Sequence, residues 1–183
     1  MGHAASPHIH RLTSDRWHDL CALFEGSPVT RACWCMWPRV PAGTMHGRTA
    51  EQNRDDLRTR VEQGVPTGLI AYAGPEPVAW CSVGPVSDYA RFAGAADHSV
   101  WLLGCLFTRR ERRGEGMGWL LLQAAVDYAA ANGANSIEGP PRGWRPDDDP
   151  ASMDAVMRLF RSAGFHDTSD PGAAGLFRRE AGA

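Results

Sequence analysis

The sequence predicts a mixed α/β (α+β) domain in which short strands and amphipathic helices alternate. Three observations carry that reading. A length of 183 residues and 19.9 kDa suits one domain, 1–183, able to bury its own core without disulfide staples. Apolar runs too short for helices, at 67–73, 78–83 and 99–108, alternate with segments of 3.6-residue periodicity. The resulting order, β-α-α-β-β-β-α-β-α-β-β, has no internal repeat and no credible linker, and predicts six to seven strands with about four helices.

Taken in order, residues 8–13 read as a strand, followed by a helix with Trp17, Leu20, Cys21 and Phe24 on one face and Thr13 or Ser14 as its cap. Residues 26–48 are rich in Pro, Gly and aromatics, show neither period, and read as a long ordered loop of functional character. Thr49 and Gln52 form a capping box that opens a helix to about Gln63, with Leu57 and Val61 inward. The runs 67–73 and 78–83, separated by Gly74-Pro75-Glu76-Pro77, read as a hairpin. After an irregular stretch, 84–98, comes the most apolar strand, 99–108, and then a helix to about Asn132 that shows Met117, Leu121, Ala124, Ala125 and Tyr128 on one face. Gly133 ends it. A strand at 135–139 follows, and Asp149-Pro150 starts a last helix with Met153, Val156, Met157 and Phe160 inward. Gly164 stops that helix, Phe165 begins a closing strand, and 176–179 adds a short final one.

Composition narrows the function classes. The chain has 43% apolar and 22% charged residues, which is ordinary for a globule and excludes wholesale disorder. All nineteen basic residues are Arg, set against twenty-one acidic ones, for a formal charge of −2. Near-neutral charge argues against bulk nucleic-acid binding and against membrane association. The absence of Lys removes Schiff-base chemistry and a Walker-type phosphate clamp. The five cysteines, Cys21, Cys33, Cys35, Cys81 and Cys105, are odd in number, do not repeat in spacing and follow no secretory leader, so the expectation is a reducing cytoplasm and no disulfide framework. No apolar run approaches the roughly 20 residues of a membrane span.

The strongest chemical signal is the strand that runs through Arg113-x-x-Gly116-x-Gly118 directly into a helix. Glycine lets the backbone take unusual φ values and approach a ligand closely. The first-turn N–H groups of the helix lack helical partners and lie at the positive end of its dipole, so together they suit a phosphate or pyrophosphate. The dipole alone supplies only about 0.3–2 kcal/mol, so several N–H bonds must do most of the holding. A dinucleotide fingerprint has a different glycine spacing. The rival reading is a glycine-rich helix start beside solvated arginines.

With these residues in view, the sequence resembles the GNAT superfamily of N-acetyltransferases, whose Arg/Gln-x-x-Gly-x-Gly/Ala turn matches Arg113 to Gly118. The resemblance extends from about residue 8 to 179. It is most specific between 100 and 165, through Cys105-Leu106-Phe107-Thr108, the helix after the turn, Ile137-Glu138-Gly139 and Leu159-Phe160-Arg161-Ser162-Ala163-Gly164-Phe165. It implies a central, mostly antiparallel twisted sheet and an acyl-CoA-dependent N-acyltransferase, with acetyl-CoA as co-substrate and no metal. By resemblance, the amides of Arg113, Gly114, Glu115, Gly116, Met117 and Gly118 hold the pyrophosphate, and the backbone of Leu106, Phe107 and Thr108 pairs with the pantetheine arm. Arg109, Arg110 and Arg112 are candidates for the 3′-phosphate or, equally, a solvated charge run. A homodimer is compatible with the resemblance, and a non-catalytic CoA-binding or interaction module of the same fold is the alternative to an enzyme.

Acetyl transfer to an amine needs the neutral amine, and a lysine-like pKa near 10.4 costs about 4–5 kcal/mol at pH 7. Glu138 and Asp97 are the candidate bases, with an ion pair or surface charge as the competing reading, and His98 stands beside Asp97. Many family members carry a tyrosine four residues before the last-helix glycine to reprotonate the thiolate. Phe160 stands there in this chain, leaving water, Tyr128 or Tyr89 for that task.

For the acceptor, a small-molecule or peptide amine, Trp34, Cys35, Trp37, Trp80 and Tyr89 are the candidate wall, together with Trp101. An aromatic lining also suits a cation. Core filling beneath the loop is the alternative for each. Cys33-x-Cys35 with His46 lacks the four ligands that structural zinc takes.

Overall fold

The computed structural model describes residues 7–92, 97, 99–143, 150–168 and 171–182; of 150–152 only the backbone is described. Seven strands form one sheet: β1 (Pro7–Arg11), β2 (Gly68–Ala73), β3 (Glu76–Pro85), β4 (Val100–Thr108), β5 (Ser136–Pro141), β6 (His166–Asp167) and β7 (Gly175–Glu180). Their spatial order is β1-β2-β3-β4-β5-β7-β6, and every pairing is antiparallel except β4 with β5. Five helices accompany it among the described residues: α1 (Trp17–Glu25), α2 (Pro28–Cys33), α3 (Ala50–Glu62), α4 (Met117–Ala131) and α5 (Pro150–Ser162).

The element order of the sequence reading stands, with one correction. The segment expected to be loop throughout, 26–48, contains α2. Ser27 at the N-cap and Pro28 at the first position start it, a combination that favours helix initiation, and six residues are too few to display a period. The capping box is formed as expected: Thr49 Oγ1 accepts from the Gln52 N–H and Gln52 Oε1 from the Thr49 N–H. The Asp149 cap lies outside the described residues.

Strand alternation divides the core. Leu69, Ala71, Cys81 and Leu103 face α4 and α5, meeting Met117, Leu121, Leu122, Ala125, Phe160 and Phe165. Ile70, Tyr72 and Trp80 face the other way, onto Leu20, Phe24, Trp34 and Leu57 of α1 to α3. Trp80, Phe24 and Phe160 have no exposure at all, and losing such an aromatic costs about 3–5 kcal/mol.

Two irregularities in β4 position the site. Ser82 pairs with Cys105 but Val83 with Leu103, so Gly104 is an extra residue that bulges the strand. The parallel pairing with β5 covers only Val100–Ser136, Trp101–Ile137 and Leu102–Glu138. From there to Thr108 no strand among the described residues pairs with the β5 side of β4, and the two strands part around a wedge.

Candidate active site

The wedge opens into a cavity of about 560 Å³. One wall is the free edge of β4, Cys105 to Thr108; the second is the turn and first residues of α4; α5 supplies Val156 and Leu159, and α2 closes over with Val29, Thr30 and Cys33. Val29 and Trp119, both exposed, stand at the mouth. An unpaired strand edge presents alternating N–H and C=O groups, which suits an extended ligand that carries amides.

At the turn, Gly114 and Gly116 adopt φ of +85° and +82°, and a β-carbon on either would meet nothing within 4 Å. Both therefore face open space in a conformation that side-chain-bearing residues resist. Gly116 is also the N-cap of α4, and no side chain caps that helix, so its first-turn N–H groups are not taken up by a capping side chain. An anion fits this cradle.

Two of the arginines around the turn are engaged with carboxylates. Arg109 and Arg112 both pair with Glu76 of the β2–β3 hairpin, at 2.9 and 3.1 Å, and Arg112 also approaches Glu115 at 3.5 Å. Arg112 and Arg113 line the cavity, and Arg113 Nε donates to the Thr108 carbonyl at 3.4 Å. The Glu115 side chain is directed onto Arg112 and exposed.

Residues 28–165 match the model of the Acetyltransferase (GNAT) family. The chain belongs to that family. An L-methionine sulfoximine/L-methionine sulfone acetyltransferase of Pseudomonas aeruginosa is 35% identical over 75 residues, 41% of this chain and 40% of the relative. The chain thus aligns with well under half the length of that curated relative. Among solved structures, an acetyltransferase from Thermus thermophilus superposes with a TM-score of 0.61 at 20% identity, covering 98% of this chain and 99% of that one. An aminoglycoside N-acetyltransferase in complex with CoA superposes with a TM-score of 0.62 at 15% identity, covering 92% and 93%. These two superpositions establish a shared GNAT fold.

Of the residues expected at the site of this family member, the structure gathers Leu106, Phe107, Thr108, Arg113, Gly114, Gly116, Met117, Gly118 and Cys35 around the cavity. Others lie elsewhere. Trp34 is inserted in the core between Trp17 and Phe24, with ring centroids at 5.7 and 5.2 Å. Trp80 is buried behind Cys35, and its Nε1 donates to Cys35 Sγ at 3.2 Å. Trp101 packs on Tyr128 beneath α4. Trp37 lies under the Arg91 guanidinium at 4.2 Å. Tyr89 is fully buried, with Arg39 over its ring at 4.3 Å.

Neither candidate base lines the cavity. Glu138 is 1% exposed and bound on both oxygens: Gly175 N–H donates to Oε2 at 3.0 Å and Arg178 Nε to Oε1 at 3.0 Å. It is an internal ion pair that joins β5 to β7. Asp97 is exposed and caps the start of β4 by accepting from the Ser99 N–H at 2.8 Å. Val100 and Cys105 are five steps apart along the strand, about 16 Å. His98 lies outside the described residues. Phe160 is buried against Phe165 and Phe177.

Sequence reasoning missed Arg39. Its buried guanidinium donates through Nη2 to the Thr67 carbonyl, Ser82 Oγ and Tyr89 Oη, at 3.0–3.2 Å, and so pins the segment after α2 to the sheet. Trp34 and Cys35 turn that segment inward, at positive φ of 48° and 53°. Each costs about 1–2 kcal/mol, and together they place the Trp34 ring in the core and the Cys35 thiol at the cavity. Burial, then the neighbouring Cys35, pushes the Cys33 thiol up to about 11. Among the described residues no group of three or more His, Cys, Asp or Glu side chains is arranged to hold a metal, and no helix is long and apolar enough to cross a membrane.

Proposed function

We propose that the protein transfers an acetyl group from acetyl-CoA to a primary amine of a small molecule or peptide, by direct attack within a ternary complex. The observation that carries this reading is the continuity of the free β4 edge with the uncapped, glycine-lined start of α4. The turn amides from Arg113 to Gly118 receive the pyrophosphate. The amide-bearing pantetheine arm lies along Leu106, Phe107 and Thr108 as an added strand, which brings the thioester to the inner end of the cavity near Cys105.

Among the described residues lining the cavity there is no carboxylate and no imidazole. The amine therefore enters as its neutral fraction, about 1 in 2,500 for a lysine-like amine at pH 7, and its excess proton leaves through water. N–H groups on the free edge of β4 receive the developing oxyanion. With Phe160 buried, the CoA sulfur departs as thiolate or takes its proton from water.

The test is free-thiol release from acetyl-CoA in the presence of L-methionine sulfone, an aminoglycoside, a peptide N-terminus or a lysine peptide, with the N-acetyl product confirmed by mass. Intersecting lines in two-substrate kinetics are expected. Saturable CoA binding without turnover for any amine would instead establish a non-catalytic binding module, the reading that Phe160 motivates.

A further inference from the structure

Three thiols converge at the inner end of the cavity. Cys33 ends α2, Cys35 follows in the inward turn, and Cys105 sits on β4 next to the Gly104 bulge; all three line the same space and none is in a disulfide. Cys105 also packs against the core cluster that contains Cys35 and Trp80, and Trp80 Nε1 fixes the Cys35 sulfur from behind. An S–S bond of about 2.05 Å between Cys35 and Cys105 would join the turn after α2 to β4 across the cavity that both residues line. On the reading given under Proposed function, the pantetheine arm runs back from the turn along Thr108, Phe107 and Leu106. The next residue it meets is Cys105, so the sulfur of the coenzyme and that of the protein share one end of the cavity.

We propose that Cys105 and Cys35 form a thiol–disulfide exchange site for the disulfide of coenzyme A. The Cys105 thiolate attacks one sulfur of the CoA disulfide. A Cys105–S–S–CoA bond forms, the CoA S–S bond breaks, and one CoA leaves as thiolate and takes a proton from water. The Cys35 thiol, as it loses its proton to solvent, then attacks the Cys105 sulfur. A Cys35–Cys105 bond forms and the second CoA leaves. Two protein thiols are oxidised and one CoA disulfide is reduced to two CoA thiols. The bridge ties β4 to the turn after α2 across the place where the thioester reacts, so oxidation stops acyl transfer until a dithiol reverses it. Exchange rates follow thiolate content. Cys105, only partly buried, is thereby the entry thiol, and buried Cys35 acts second, when the mixed disulfide is already at its side.

The experiment incubates the full chain with CoA disulfide or with glutathione disulfide and reads intact mass without reductant. Wild type is expected to lose two hydrogens and release two CoA, about tenfold or more faster with CoA disulfide because binding raises its effective concentration, and acetyl-CoA is expected to slow the reaction. Cys35→Ser should accumulate the CoA adduct, Cys105→Ser or Cys105→Ala should form neither adduct nor bridge, and Cys21→Ser should behave as wild type. Peptide mapping of the wild type decides the site even if a variant fails to fold. An adduct on Cys33 or Cys21 with Cys105 free, or equal rates for the two disulfides, overturns the proposal. Calorimetric titration with desulfo-CoA runs in parallel. Binding without bridge formation sinks the exchange site alone, whereas no binding sinks the CoA reading with it.

Discussion

Gly104 lies against the ring of Tyr89: a β-carbon at 104 would stand 2.7 Å from Tyr89 Cε1 and 3.2 Å from Pro38 Cγ. The ring cannot swing aside, because it is fully buried and its hydroxyl is held by Arg39 and Ser82. Gly104→Ala is therefore expected to cost about 1–3 kcal/mol, read as a lower urea midpoint. In a Gly104→Ala/Tyr89→Leu double variant the loss should be smaller than the sum of the single losses.

Gly116 gives the opposite pattern. A side chain there meets open space, yet φ of +82° strains it. Gly116→Val should pull the turn out of its anion-receiving shape, at about 1–2 kcal/mol. The expected result is CoA binding weakened about 5- to 30-fold by calorimetry. An unchanged Kd would remove the turn from the phosphate site.

Glu138→Gln separates structure from catalysis. Loss of the buried charge beside Arg178 and the Gly175 N–H should lower stability by about 1–3 kcal/mol, while the folded variant keeps its kcat. A fall in kcat of about 100-fold or more, the scale of a lost general base, would return Glu138 to the mechanism.

Phe160→Tyr places a hydroxyl among Phe165 and Phe177. An unpaired buried hydroxyl costs about 1–3 kcal/mol, so the melting temperature should fall while turnover persists. Loss of all turnover in a stably folded variant would show that the chemistry needs this apolar surface.

Alkaline pH should destabilise the fold. Burial raises the Cys33 thiol from 9.0 to about 11 and the Cys81 thiol to about 12. Above pH 9 the unfolded chain gives up these protons while the folded chain keeps them, so stability that is complete below pH 9 is lost as pH rises toward 11–12. Urea midpoints at pH 7, 9 and 10.5 measure this, and Cys81→Ala should flatten the decline. Over pH 7–9, by contrast, kcat/KM should rise with the neutral fraction of the amine.

Strand β4, its turn and α4 were legible because their signal is local: an apolar run, glycines at fixed offsets, a periodic helix. The capping box at Thr49 was legible for the same reason. What was illegible depends on residues distant in sequence. Nothing around Glu138 announces Arg178, forty positions on, as its partner. The aromatic richness of 34–37 suggested a pocket wall, but two consecutive positive-φ residues send Trp34 into the core and leave only the Cys35 thiol at the surface of the cavity. Arg39 was hidden in plain composition, one of nineteen arginines, and only burial separates it from the others.

The parting of β4 and β5 after three residue pairs also makes the sheet mechanically two leaves, β1 to β4 and β5 to β7, sewn along a short spine and braced by α4 and α5. A molecule seated in the gap touches both leaves, so occupancy sets how far they behave as one cooperative unit. Backbone amides of the two leaves should exchange as separate groups in the empty protein and share a single, deeper protection once the gap is filled.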